Sequence, residues 1–259
     1  MQLTADYHTH TVFSHGKGTI EDNVKAARDA GLKEVGITDH GFSHPAFGLT
    51  KRKLPKMRAL CDGAEKEFGV KTHLGIESNI IGVGGATDLK EKDYDKFDLF
   101  LAGLHKFVFF HPSAFFKIFT PNMFTAYIKK DKPSAILVKN NTKMFINVIK
   151  TRPVDMITHL NFYCFADAVE VAKAAADYGT YIELNSKKVH LTDEELYAVA
   201  KTGARFLISS DAHSPSRVGE ISLVEETLKR VNIDLSRIDN IDGRLPDFRF
   251  AAFKGAAGR

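Results

Sequence analysis

The chain has 259 residues and a mass of 28.8 kDa, too long for a minimal module and short for two average domains with a linker. Its 44% hydrophobic and 26% charged content excludes wholesale disorder, and no window carries the roughly 18 apolar residues of a membrane-spanning helix. A net charge of +4 is weak for a dedicated nucleic-acid binder but compatible with anionic small molecules.

Short β-like runs alternate with helical stretches. Residues 6–11 read as the first strand. Thr19, with Asp22 three positions on, opens a helix with an approximate capping box, and Gly31 closes it. Residues 34–39 form a second strand. Residues 51–68 read as helix, re-started at Pro55 and stopped by Gly69. Residues 71–80 and 97–104 are the third and fourth strands. Thr120 as N-cap and Pro121 at the first helical position begin the next helix, which breaks at 131–133 and resumes from 134 to about 151. Strand five spans 155–159, a helix follows over 167–178, and strand six spans 181–185. Thr192 and Glu195 form a capping box for a helix that Gly203 ends. Strand seven spans 205–210 and the last clear helix 216–231. Residues 232–259 show weak periodicity, and the final ones are expected to be loose.

Strands alternating with helices predict a parallel sheet. The first strand is not followed by a Gly-rich dinucleotide fingerprint, so a closed or nearly closed (β/α) barrel is expected rather than a doubly wound fold. One domain over 1–259 follows, with a core at about 5–231 and a tail at 232–259. The N-terminus, MQLTADYHTH, lacks the regions of a signal peptide, and the two cysteines, Cys61 and Cys164, cannot build a disulfide framework. Both features suit a cytoplasmic protein.

The composition holds 11 histidines against 2 cysteines and no tryptophan. Many of these histidines fall at one edge of the predicted sheet. His8 and His10 end strand one at i and i+2, on one face, with His15 in the adjoining loop. His40 ends strand two, Glu77 lies in strand three, His105 ends strand four and His159 strand five. Asp211 and His213 end strand seven, again at i and i+2. The C-terminal edge of a parallel β/α sheet is where active sites are built. Seven histidines, one glutamate and one aspartate exceed the roughly four ligands of a single zinc ion, so two or three divalent ions are expected. Glu77, at mid-array, is the candidate bridge. Imidazole and carboxylate donors without thiolate suit Zn, Mn or Fe.

The His8–His10 pair, the Thr38-Asp39-His40 run, Glu77, the strand-end His105 and His159, and the Ser210-Asp211-Ala212-His213 run together resemble the PHP family, named for polymerase and histidinol phosphatase domains. The resemblance covers about residues 5–225 with every motif in order. Length and the Glu183-Leu184-Asn185 run look most like stand-alone bacterial phosphatase members. Leu160 follows His159 where many relatives carry proline, a difference that touches no ligand. The resemblance implies a distorted seven-stranded (β/α) barrel with a trinuclear site at the C-terminal ends of the strands. It implies that His8, His10, Glu77 and Asp211 hold one ion, the one carrying the attacking hydroxide. Glu77, His105 and His159 would hold a second, and His15, His40 and His213 a third. It also implies a metal-dependent phosphoesterase acting on a small phosphomonoester, with histidinol phosphatase as one family activity.

Clustered ions suit this chemistry, because they bring the pKa of bound water to about 7 and clamp phosphoryl oxygens. Ser14, Ser209 and Ser210 come without a nucleophile elbow and read as structural. Arg217, Lys17, Lys106 and Lys187 are candidates for phosphate contact, Arg217 foremost because its guanidinium can bind bidentately. His44 is a candidate substrate residue. His73, His111 and His190 read as structural or surface residues. Asp39 is expected either to support a ligand or to meet a helix, and Glu183 and Asn185 to support a ligand or satisfy each other. The segment 107–124 holds seven phenylalanines and directly follows His105. It reads as a packed loop and helix, a lid, or a homo-oligomer interface. Two rival functions remain: a 3′–5′ exonuclease-type phosphodiesterase, against which the small charge excess and absent partner domain speak, and a non-catalytic metal-binding domain. A cyclic phosphodiester or phosphonate hydrolase is a further option. No stable nucleic-acid or membrane partner is expected.

Overall fold

The computed structural model describes residues 1–129 and 132–258. Seven strands lie side by side in chain order, every adjacent pair parallel: β1 (Ala5–Thr9), β2 (Glu34–Ile37), β3 (Lys71–Asn79), β4 (Leu99–Gly103), β5 (Met156–Ile157), β6 (Tyr181–Asn185) and β7 (Phe206–Ser209). Parallel neighbours need long crossovers, which the helices supply. The sheet curls into a nearly closed barrel, as the alternation of elements predicts. At the C-terminal edge Thr9 pairs with Ala212, and the His10 N–H donates to the Ala212 carbonyl at 2.8 Å.

Toward the other end, the tail lies between β7 and β1. Phe206 pairs with Ile238, and Leu3 with Ile241. Between them the Asn240 amide donates to the carbonyls of Ala5 (2.8 Å) and Ile208 (2.6 Å) and accepts from the Ile208 N–H (3.0 Å). One side chain thus does the work of a short strand, satisfying backbone groups that would otherwise be buried unpaired.

The helices begin and end largely where their caps predict. Thr19 and Asp22 form a capping box for α1 (Ile20–Asp29). Pro55 sits in the first turn of α2 (Leu54–Phe68), which stops at Gly69 with φ 70°. After β4 the sequence reading places the helix start too late. The chain is helical from 112, with α3 (Pro112–Ala114) and α4 (Thr120–Met123) each followed by π-helical turns, Phe115–Phe119 and Phe124–Lys129. Pro121 follows a π-helical turn, whose wider winding eases the clash of a proline ring with the preceding turn. Asp131, in the predicted break, lies outside the described residues. α5 (Ala135–Thr151) starts at the Ser134 cap, α6 (Ala168–Tyr178) at Asp167, and α7 (Asp193–Ala200) at the Thr192–Glu195 capping box.

The helix predicted over 216–231 is instead a 3-10 turn, Pro215–Arg217, followed by a break and α8 (Ser222–Arg230). The break has a cause. Gly219 takes φ 76° and donates its N–H to buried Asp6 at 3.0 Å, which pins a turn where a helix would otherwise continue. The tail end also differs from expectation: it forms α9 (Arg249–Ala256), whose Phe250 is fully buried. Along the barrel axis Tyr7, Leu101, Met156, Tyr181 and Leu207 pack together, with Phe248 against them. Among the described residues no helix is long and apolar enough to cross a membrane.

Candidate metal centre

The centre is built where β1 breaks its regular pleat. Its register with β2 shifts between Asp6 and Thr9. Tyr7 joins the axial cluster while His8 meets Glu183 of β6, so two consecutive side chains turn inward, as a bulge allows. His10 follows, and the Nε2 atoms of His8 and His10 stand 3.1 Å apart.

Glu77, on β3, occupies the middle. Its Oε2 lies 2.9 Å from His40 Nδ1, 3.4 Å from His8 Nε2 and 3.5 Å from His10 Nε2. Its Oε1 lies 2.7 Å from His159 Nε2 and 3.0 Å from His105 Nε2. Asp211 Oδ1 stands 3.4 Å from His10 Nε2 and 3.3 Å from His213 Nδ1. The His15 ring stacks on His40 with centroids 4.7 Å apart and meets His213 at 4.2 Å. All nine residues singled out in the sequence therefore converge. Among the described residues, donor atoms lie within 4.8 Å of one another in His8–His10–Asp211, His40–Glu77–His105 and His10–His40–His213. His10 and His40 each belong to two of these groups, whereas the resemblance gives each of them to one ion.

The donor chemistry fits divalent cations. His10 Nδ1, His40 Nδ1, Glu77 Oε2, His159 Nδ1 and both ring nitrogens of His105 are buried without a hydrogen-bond partner. Buried polar atoms are normally paired; of these, Glu77 Oε2, His40 Nδ1 and His105 Nε2 face into the array, and such orphans call for a partner that accepts lone pairs. Two ligands bound tetrahedrally at about 2.1 Å sit about 3.4 Å apart, close to the observed spacing of the donors. The charges point the same way. Burial alone would raise the Glu77 carboxyl, but His105, His8 and His159 outweigh it and hold it well below its ordinary value. Burial likewise opposes charge on His8, yet Glu77, Glu183 and Asp211 raise its pKa well above the usual one, while burial and the neighbouring His40 push His10 well below. The array thus sets two buried carboxylates among seven imidazoles, a donor set that favours a cation.

Buried carboxylates beneath the array hold its loops. Glu183 Oε1 lies 2.6 Å from His8 Nδ1, and Oε2 accepts the His159 N–H at 2.5 Å and the Asn185 amide at 3.1 Å. Asn185 also donates to Asp211 at 3.2 Å, so Glu183 and Asn185 each hold a residue of the array and satisfy each other as well. Asp39 accepts from the Thr11 N–H (2.7 Å), the Thr11 hydroxyl (2.6 Å) and the Ser14 hydroxyl (2.5 Å), fixing the loop between His10 and His15. Asp6 accepts from the Ser210 N–H (3.2 Å) and hydroxyl (2.5 Å), just before Asp211. Asp88, unremarked in the sequence, takes the Ser43 N–H (2.8 Å), the Ser78 hydroxyl (2.5 Å) and the Asn79 N–H (2.9 Å). Ser14, Ser209 and Ser210 each donate to one of these carboxylates, which accords with a structural role. Two residues of the array carry unusual backbone, His159 at φ 32° and Asp211 at φ 48°. Gly103 is required by closeness: a Cβ there would strike the Thr158 hydroxyl and come within 2.8 Å of His159 Cε1.

A cavity of about 590 Å³ opens over the array. His44, Lys106 and Lys187 line it, as anticipated. Lys187 Nζ stands 3.1 Å from His213 Nδ1 and 3.5 Å from Asp211 Oδ2. Arg217 and Lys17 are not among its lining residues. The Arg217 guanidinium pairs with Glu220 at 2.8 Å on the 3-10 turn, and Lys17 is exposed, its backbone N–H bound to the His213 carbonyl. His73 pairs with Glu34 at 2.8 Å at the far end of β3, as a structural residue should. His190, by contrast, belongs to the cavity wall, together with Lys188, Phe162 and Tyr163. Its place depends on a loop after β6, and nothing in its local sequence signals it. Phe107 and Ala126 also line this wall, while Phe109, Phe116 and Ile128 are exposed.

Comparison with known proteins matches residues 6–210 to the PHP domain model. A probable phosphatase of Thermoanaerobacter sp. (strain X514) is 31% identical, covering 96% of this chain and 95% of that protein. A probable phosphatase of Photobacterium profundum is 29% identical, covering 92% and 89%. Among solved structures, the histidinol phosphate phosphatase of Lactococcus lactis subsp. lactis Il1403, complexed with zinc, L-histidinol and phosphate, superposes with a TM-score of 0.61 at 16% identity, covering 90% of this chain and 95% of that one.

Proposed function

The chain belongs to the PHP domain family and is a phosphatase of it; from that premise we propose that it hydrolyses a small phosphomonoester with two to three divalent ions. The observation that carries this reading is the convergence of nine residues with nitrogen and oxygen donors, several of them buried, seven of which line one cavity. His8, His10, Glu77 and Asp211 are proposed to hold one ion, Glu77, His105 and His159 a second, and His15, His40 and His213 a third. Zinc, manganese and iron all suit this donor set, and zinc is the ion of the similar Lactococcus lactis structure. When bound, such ions supply hydroxide at neutral pH and neutralise phosphoryl charge.

The protein's own groups do the rest. Glu183 accepts from the ring nitrogen of His8 remote from the array, fixing its tautomer and direction. Lys187, beside His213 and Asp211, is placed to meet a phosphoryl oxygen. Lys106 and His44 flank the space the organic part would occupy. The cavity is of the size that encloses a small ligand, which favours a phosphomonoester over a nucleic-acid strand. L-histidinol and phosphate occupy the similar structure, in keeping with a small substrate. The test is removal of metal by chelation. Turnover of p-nitrophenyl phosphate should vanish and return with Zn²⁺ or Mn²⁺. Turnover that survives in metal-free protein would overturn the mechanism, and none with metal restored across a phosphoester panel would favour a binding domain.

A further inference from the structure

The cavity wall beyond the array differs in chemistry from its floor. Phe162 lies 5.0 Å from the His159 ring and 4.9 Å from the His190 ring, centroid to centroid, with Tyr163 edge-on at 4.1 Å. His190 thus adds a second flat ring to this wall, beside Phe162. The loop that presents these rings is held in a rare backbone: His159, Asn161 and Tyr163 have φ of 32°, 71° and 51°. Asn161 stabilises it by accepting the Ala166 N–H at 2.9 Å and donating to the Ala166 carbonyl at 3.3 Å. Non-glycine residues hold such angles at a cost, and this cost is met where the rings must face inward.

Cations occupy the same wall. The Lys106 ammonium sits 3.1 Å from the Tyr163 ring centroid and contacts the Tyr127 hydroxyl. Lys188 lines the wall as well. The carboxylates lining the cavity, among the described residues, are Glu77 and Asp211, both assigned to the metal array. None is left over to pair with an ammonium group on a substrate.

We propose that the site selects phosphomonoesters whose organic part is a flat, apolar ring carrying a second negative charge, and discriminates against those carrying an ammonium. The phosphoryl group lies on the array beside Lys187, the ring against Phe162 and His190, and the distal anion between Lys106 and Lys188. This selection rests on the phosphatase reading and deepens it.

The test separates the two. Three non-hydrolysable benzylphosphonates, with para-carboxymethyl, para-methyl or para-aminomethyl groups, are titrated by calorimetry into the metal-loaded full chain. The carboxymethyl compound should bind about 10-fold tighter than the methyl one, as two solvent-exposed ion pairs would give, and the aminomethyl compound weakest of the three. The Lys106→Gln/Lys188→Gln double variant should collapse this ordering. Phe162→Ala should weaken all three alike. Equal affinities, or tightest binding of the aminomethyl compound, would overturn the proposal. The matching phenyl phosphates are assayed in parallel. Ordered binding without any turnover would uphold charge selection and sink the phosphatase reading, while turnover without ordered binding would sink charge selection alone.

Discussion

Replacing Glu183 separates ligand positioning from folding. Its side chain is fully buried and serves four groups: the His8 ring, the Ser209 hydroxyl, the His159 N–H and the Asn185 amide. Glu183→Gln keeps the volume but turns one acceptor oxygen into an NH₂ donor. In either orientation that donor faces groups that themselves need an acceptor: His8 and Ser209 on one side, His159 and Asn185 on the other. Loss of the acceptor behind a ligating histidine typically lowers metal affinity 10- to 100-fold, or about 1.4–2.7 kcal/mol. A separate folding cost arises because a buried donor left unpaired costs about 1–3 kcal/mol. The assay is metal retention against graded chelator, read by elemental mass spectrometry, with melting of the metal-free protein alongside. Both half-loss concentration and melting temperature should fall. A variant that melts earlier yet retains metal like the parent would refute the positioning role.

Three further perturbations address other parts of the molecule. Asp155 accepts the N–H groups of Phe100 (2.9 Å) and Phe250 (2.8 Å), and burial raises it from 3.8 to about 7. A carboxyl with a raised folded pKa stabilises below its unfolded pKa, and that stability is lost as pH rises from about 4 through about 7, at most about 4 kcal/mol. Urea unfolding at pH 5 and pH 8 should show Asp155→Asn gaining on the parent at the higher pH; an identical pH slope in both proteins would contradict this. Gly103→Ala should displace His159, lowering metal retention while costing about 1–3 kcal/mol in stability, and unaltered retention would show that the strand yields instead. Asn240→Leu removes three hydrogen bonds that close the barrel, so a loss of about 3 kcal/mol or more is expected in denaturant unfolding, and a change under about 0.5 kcal/mol would mean that closure does not depend on this amide.

The barrel and the convergence of nine histidine and acidic side chains at its C-terminal edge were legible because each depends on local signals. Strand ends are marked by apolar runs that stop at polar residues, and a histidine at such an end reports its own position. Caps behaved the same way at Thr19, Ser134 and Thr192, where one hydroxyl and the N–H three residues on decide the helix start. What stayed hidden depends on distant partners. Gly219 ends a helix early because it meets Asp6, more than two hundred positions away in the chain, and no local propensity encodes that contact. Asn240 looks like an ordinary turn residue, yet it bridges Ala5 and Ile208. Arg217 carried the right chemistry for phosphate but is turned to Glu220, three residues on. His190 and Phe162 join the cavity wall through two loops that the sequence leaves without a register.

The buried acids explain how loops can hold so many donors in register. Beyond the strand ends the ladder no longer fixes the backbone, yet a metal array needs its donors within tenths of an ångström. An apolar contact would anchor such a loop without fixing its direction. A carboxylate accepts several N–H and O–H groups at once and fixes both. Asp6 does this for the segment bearing Asp211, Asp39 for the loop between His10 and His15, Asp88 for the turns after His40 and Glu77, and Glu183 for His8 and His159. The cost is the burial of charge, which raises Asp6 and Asp39 above their ordinary pKa despite their hydrogen bonds. That cost is tolerable only while every donor is in place, since removing one partner of a buried polar network strands the rest. Donor geometry and local stability are therefore coupled through the same four side chains, and the positive φ at His159 and Asp211 persists because Glu183 holds the His159 N–H and Asp6 the Ser210 N–H next to Asp211.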